Sequence, residues 1–234
     1  AGLLAGSFAV VAALPVAAQS VVTARDEFAS ITYGGNDGTR DFAGPWVERG
    51  ENDGPGSGVL RVAPSDRCTG GVGYCLELGG SSGAFAGYAI ERAVDLDDAT
   101  EATLTFRWRR NSRGQVDGAL RLRISQSGGS SWTTLTAIPL AGSQSSVTER
   151  FDITPWTGTS TVLRFEGVGD DIDGSIAVDD VQISATIAST VSTTTPPIST
   201  TTTQPGDTTS TTTPPTSTTT TQPGDTTSTT TPPT

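Results

Sequence analysis

Apolar and polar residues alternate with a period of two through several runs of the chain. Leu104, Phe106 and Trp108 fall on one parity and Thr103, Thr105, Arg107 and Arg109 on the other. Leu120, Leu122 and Ile124 alternate with Arg121 and Arg123, and Leu163 and Phe165 with Arg164 and Glu166. That period belongs to strands, whose successive side chains point to opposite faces; no stretch carries a helical stripe. Clusters such as Gly34-Gly35-Asn36-Asp37-Gly38, Asn52-Asp53-Gly54-Pro55-Gly56 and Gly128-Gly129-Ser130 punctuate the runs as turns. An apolar face backed by a charged one needs a sheet buried on one side only. The pattern therefore predicts an all-β fold, a two-sheet antiparallel β-sandwich, with about eleven strands between Val22 and Ser184.

One run breaks the alternation. Ile176 and Val178 share a parity, while Val181 and Ile183 share the opposite one. Both pairs stay on the inner face only if one extra residue is inserted near Asp179-Asp180, which predicts a β-bulge there.

Towards both ends the alternation stops. Leu3 to Val16 is an apolar run followed by Ala17-Ala18-Gln19, with small residues at Val16 and Ala18. Residues 1–18 read as a secretory signal peptide without its basic start, an N-terminal anchor being the alternative. From Ser192 onward the chain is Thr, Pro, Ser, Gln, Gly and Asp, with Ile198 the single apolar residue, and STTTTQPGDTTSTTTPPT occurs twice, from Ser199 and from Ser217. Such a segment cannot fold by burial. Residues 192–234 read as a disordered, semi-extended Thr/Pro-rich stalk, a candidate for O-glycosylation, that spaces a sandwich domain of residues 22–187 from further domains beyond residue 234.

Composition narrows the function. The formal net charge is −11, and all 14 basic residues are arginine. Nucleic-acid binding through bulk charge is excluded. Histidine is absent, which removes every Ser-His-Asp, Cys-His and His-zinc arrangement. No segment after the leader is long and apolar enough to span a bilayer. In an exported chain the two cysteines, Cys68 and Cys75, are expected to form a disulfide across their glycine-rich intervening loop.

Three groups of residues offer chemistry. The predicted bulge turns Asp179 and Asp180 toward one edge, just after the acidic loop Asp170-Asp171-Ile172-Asp173-Gly174, and in a sandwich whose first and last strands are neighbours the carboxylates of Asp26 and Glu27 could reach the same ion. These carboxylates are candidate ligands of a structural Ca²⁺, which takes six to eight oxygens; a solvated acidic loop is the alternative. Arg107, Arg109, Arg121, Arg123 and Arg164 all lie on the polar parity of their strands. If those strands are neighbours in one sheet, they form a face for an anionic glycan or an acidic partner segment; cross-strand pairing with Glu166, Glu91 or Glu149 is the other reading. Finally, Ser125-Gln126-Ser127-Gly128-Gly129-Ser130-Ser131-Trp132 resembles an aspartate box with Ser127 in place of the Asp, and reads as a hairpin. Paired carboxylates for glycoside hydrolysis find no concentrated pattern, since Glu48, Glu51 and Asp53 sit in a glycine-rich turn.

Taken in order, Asp26-Glu27-Phe28, the Gly-Asn-Asp-Gly turn at 35–38, Pro45-Trp46-Val47-Glu48, the cysteine hairpin, the Ser-to-Trp hairpin and Val178-Asp179-Asp180-Val181-Gln182-Ile183 resemble the MAM-like, concanavalin-type jelly-roll accessory domains of secreted bacterial proteins. The resemblance implies a jelly roll and a structural cation at Asp26, Asp179 and Asp180. Such domains accompany many activities, so the resemblance names no partner; the leading expectation is a non-catalytic, extracellular module that binds or adheres, with a polysaccharide or cell-surface polymer as partner. The alternatives are a purely structural domain of a secreted hydrolase and a divergent glycoside hydrolase.

Overall fold

The alternating runs become eleven strands in a computed structural model that describes residues 19–64, 68–69, 73–79, 86–112, 117–171 and 174–188. The expected leader and Thr/Pro-rich stalk lie outside the described residues. The strands are β1 (Gln19–Asp26), β2 (Val47–Arg49), β3 (Leu60–Pro64), β4 (Tyr74–Gly79), β5 (Ala89–Val94), β6 (Ala99–Ser112), β7 (Asp117–Ser125), β8 (Thr133–Pro139), β9 (Ser143–Asp152), β10 (Thr161–Asp171) and β11 (Gly174–Ala188). They form two antiparallel sheets, one of six strands in the order β3-β4-β11-β6-β9 with β1 also on β11, the other of five in the order β2-β5-β10-β7-β8. Among the described residues no helix is long and apolar enough to cross a membrane.

Every second side chain fills the space between the sheets. Leu104 and Phe106 of β6, Val178, Val181 and Ile183 of β11, Leu120, Leu122 and Ile124 of β7, and Leu163 and Phe165 of β10 are fully buried. Phe106 from one sheet meets Phe165 from the other edge to face at 5.2 Å between ring centres. Removing each such side chain from water contributes about 1.5–3 kcal/mol, which is why the parity of a strand is not negotiable.

The expected bulge is where the parity placed it. Asp179 pairs with Arg107 and Gln182 with Thr105, so Asp180 and Val181 together face Phe106. Asp180 takes the left-handed conformation, φ 49°. The extra residue returns Val181 and Ile183 to the interior. It also marks a change of neighbour, because β11 pairs with β4 from Ser175 to Val178 and with β1 from Val181 onward.

Cys68 and Cys75 are disulfide-bonded, and both are buried against Ala177 on the outer side of the six-stranded sheet. The Thr69 hydroxyl donates to Asp179 Oδ2 (2.9 Å), fastening the disulfide loop to the bulge.

Candidate functional site

On the outside of the five-stranded sheet, the polar parity assembles a continuous charged surface. Register sets Arg164 between Glu91 of β5 and Arg123 of β7, and Glu166 beside Arg121. Glu91 accepts from two arginines on opposite sides, Arg164 Nε at 2.7 Å and Arg49 Nε at 2.9 Å. Glu166 lies 3.3 Å from Arg123 Nη1 and 3.7 Å from Arg121 Nη1. Above them, the Trp132 ring lies over the Arg164 guanidinium (4.5 Å) and near that of Arg123 (5.7 Å). Both contacts are within cation–π reach.

The β7–β8 turn aims that ring. Ser125 Oγ accepts the backbone N–H groups of Ser127 (3.1 Å) and Gly129 (2.9 Å), and Ser127 Oγ accepts that of Ser131 (3.0 Å). Hydroxyls thus staple the hairpin where an aspartate box would use a carboxylate. Gly129, at φ 92°, sits directly against the indole.

The five arginines singled out by parity do not share a face. Arg121, Arg123 and Arg164 stand together on the five-stranded sheet, but β6 belongs to the other sheet and carries Arg107 and Arg109 away from them. Arg107 pairs with Asp180, and Arg109 donates to the Cys68 carbonyl (3.4 Å) beneath the disulfide loop. Parity says which side of its own strand a residue occupies; strand order is a separate fact. The reading of these arginines as cross-strand ion-pair partners holds for Glu91 and Glu166, whereas Glu149 accepts from Trp108 Nε1 (3.1 Å). Arg49 joins the face without having been singled out, because a three-residue strand is too short to show a period.

Asp26, Asp179 and Asp180 meet arginines and N–H or O–H donors. Asp26 is buried at the end of β1, its Oδ1 accepting from Phe28 N–H (2.9 Å) and its Oδ2 from Trp46 Nε1 (3.0 Å) and from Arg92. Asp180 lies between Arg25 (3.0 Å) and Arg107. Asp179 accepts from Thr69 and from Asp180 N–H (2.9 Å). Burial pushes the Asp26 carboxyl above its usual range, against the pull of the Phe28 N–H and Arg92. Burial also raises Asp179, with the neighbouring Asp180 charge adding to the effect. Arg92 was not singled out either, although the sequence held a signal: it shares the parity of Ile90 and Val94, both buried.

Glu48, Glu51 and Asp53 come close enough for their carboxylate oxygens to lie within 4.8 Å of one another. These oxygens organise a loop. Glu48 accepts from Tyr33 Oη (2.6 Å) and Asp53 N–H (3.1 Å), and Glu51 from Val59 N–H (3.1 Å) and Leu60 N–H (2.5 Å). Burial, then the bond to Glu48, raises the Tyr33 hydroxyl far above its ordinary value. It stays a donor.

No protein-family model and no curated protein matches the chain. Several solved structures are partly similar. The N-terminal cellulose-binding domain of Cellulomonas fimi β-1,4-glucanase C is 18% identical, with 62% of this chain and 88% of that one covered and a TM-score of 0.35. The K1 cleaved adhesin domain of Lys-gingipain from Porphyromonas gingivalis W83 is 17% identical, covering 69% and 96%, at a TM-score of 0.43. TmCBM61 in complex with β-1,4-galactotriose is 13% identical, covering 63% and 90%, at 0.40. At these identities and TM-scores the likeness assigns neither family nor ligand. The finer MAM-like assignment stays a resemblance of sequence.

Proposed function

We propose that this domain is a non-catalytic extracellular binding module whose ligand, an anionic glycan or cell-wall polymer, lies across the outer face of the five-stranded sheet. One observation carries the reading: Trp132 is held over Arg164 and Arg123, which are themselves pinned by Glu91 and Glu166. A saccharide ring offers C–H groups to an indole, and planar guanidinium groups donate in pairs to carboxylate, sulfate or hydroxyl oxygens. Arginines already fixed by carboxylates lose little freedom on binding. Among the described side chains of this face, Arg49, Arg121, Arg123 and Arg164 outnumber Glu91 and Glu166 in an otherwise acidic protein, which favours an anionic chain over a neutral one. Hydrolysis is disfavoured because a glycosidase needs a carboxylic acid that donates a proton, and the described carboxylates of the face, Glu91 and Glu166, are engaged by arginines. The disulfide supports an oxidising, extracellular setting.

The test is affinity electrophoresis and calorimetry with uronic-acid-containing, sulfated and neutral polysaccharides. Binding is expected to favour the acidic polymers and to weaken with salt. Trp132→Ala is expected to lower affinity about tenfold or more. Unchanged binding after combined Arg121→Ala and Arg123→Ala would discard the face, and binding to none of the polymers would favour a purely structural domain.

A further inference from the structure

The resemblance implies a structural cation beside the first strand, yet the residues there are arranged around an arginine. Arg92, on β5 of the five-stranded sheet, reaches across the interior to Asp26 on β1 of the six-stranded sheet, and both side chains are 0% exposed. The guanidinium also donates to the Gly35 carbonyl (2.6 Å), the Gly44 carbonyl (3.1 Å) and Asn36 Oδ1 (3.3 Å). Phe42 covers it, ring centre 4.0 Å from Cζ. A carboxylate, two backbone carbonyls and an amide oxygen form the donor set that a hard divalent cation takes. Here they surround a guanidinium, and both Asp26 oxygens accept N–H donors. A calcium ion needs six to eight oxygens and could approach Asp26 only against the Arg92 charge. The residues do not fit the metal. The same substitution of charge recurs at the bulge, where Asp180 lies between Arg25 and Arg107.

We infer that Arg92 is the internal cation of this fold: it ties the first strand, the 34–46 loop and the opposite sheet together through an oxygen cradle of metal-binding type, and so closes that cradle to divalent ions. Removing the guanidinium while leaving the oxygens should create a calcium requirement that the natural protein lacks. Arg92→Ala retains Asp26, Asn36 and the carbonyls of Gly35 and Gly44, and opens a polar space among them.

Unfolding midpoints of the full chain, measured by calorimetry in millimolar Ca²⁺ and in chelator, test this for the natural protein, Arg92→Ala, and the double variant Asp26→Asn with Arg92→Ala. The expected result is a calcium-dependent rise of several degrees in Arg92→Ala beyond any seen in the natural protein, lost again in the double variant. An equal calcium shift in all three overturns the inference. Should Arg92→Ala not fold even with calcium, terbium titration of the natural protein decides. Trp46 Nε1 is 3.0 Å from Asp26 Oδ2, so an ion bound at Asp26 would emit on Trp excitation. Terbium emission that Trp46→Phe abolishes refutes the closed cradle, and emission unaffected by Trp46→Phe, or absent, upholds it.

Discussion

Deleting a residue from the longest strand of a sandwich ordinarily destroys it, but deletion of Asp180 should not. Asp180 is the residue in excess: with it gone, Val181 faces Phe106 alone, Gln182 still pairs with Thr105, and Val178, Val181 and Ile183 stay on the inner face. The losses are the ion pairs to Arg25 and Arg107, all three side chains being 22–39% exposed, at about 0–1 kcal/mol each. The gain is relief of a left-handed non-glycine residue, about 1–2 kcal/mol. The net change should stay within about 2 kcal/mol. Deletion of Gln182, two positions on, is the contrasting perturbation. The bulge closes there too and pairing beyond Ile183 is unchanged, but Asp180 now faces inward opposite Phe106 and Val181 faces out. Exposing Val181 forfeits about 1.5–3 kcal/mol, and an uncompensated carboxylate in the core costs about 3–5 kcal/mol more. That sum approaches the whole stability of an ordinary domain, about 5–15 kcal/mol. Urea unfolding followed by tryptophan fluorescence, with far-ultraviolet circular dichroism to confirm the β fold, separates the two. If deletion of Asp180 destabilises as much as deletion of Gln182, the bulge does not serve to correct parity and the reasoning fails.

Three further outcomes are expected. Gly35→Ala would drive a Cβ into the Asp26 carboxylate, whereas at Gly44 nothing lies within 4 Å; overpacking should cost Gly35→Ala about 1–3 kcal/mol or more and leave Gly44→Ala near the natural midpoint in thermal melts. Replacing Cys68 and Cys75 by serine opens a loop of sequence separation 7, and chain entropy alone predicts a loss of about 2.5 kcal/mol, readable as a lower urea midpoint; an unchanged midpoint would contradict it. Asp179 has its native carboxyl raised above 3.8, so the folded state binds its proton more tightly than the unfolded one, and this group's contribution falls as pH rises from that value through the native one. Asp179→Asn, which keeps one acceptor oxygen where the carboxylate serves both Thr69 and the Asp180 N–H, should therefore rise in stability relative to the natural protein as pH increases from about 4 to neutral; a difference independent of pH would exclude the assignment.

The alternation at 103–109, 120–124 and 163–166 was enough to place buried and exposed faces, because side-chain direction along a strand depends only on position within that strand. The same local rule exposed the parity break at Asp179-Asp180 and so located the bulge. Two cysteines with a glycine-rich span between them were likewise readable as a closed loop. Strand order was not readable. β6 could have lain beside β7 and β10, and only the long-range pairing with β11 and β9 moved Arg107 and Arg109 to the opposite side of the molecule. The partners of Asp26 were equally hidden, since Arg92 is 66 residues away and on the other sheet. The carboxylate could be picked out from its place in the chain, but whether a metal or a guanidinium meets it depends on which side chains the two sheets bring face to face. Local periodicity is a property of consecutive residues; the choice of cation and the composition of the Trp132 face arise from contacts between strands distant in sequence, and those exist only once the sheets have packed.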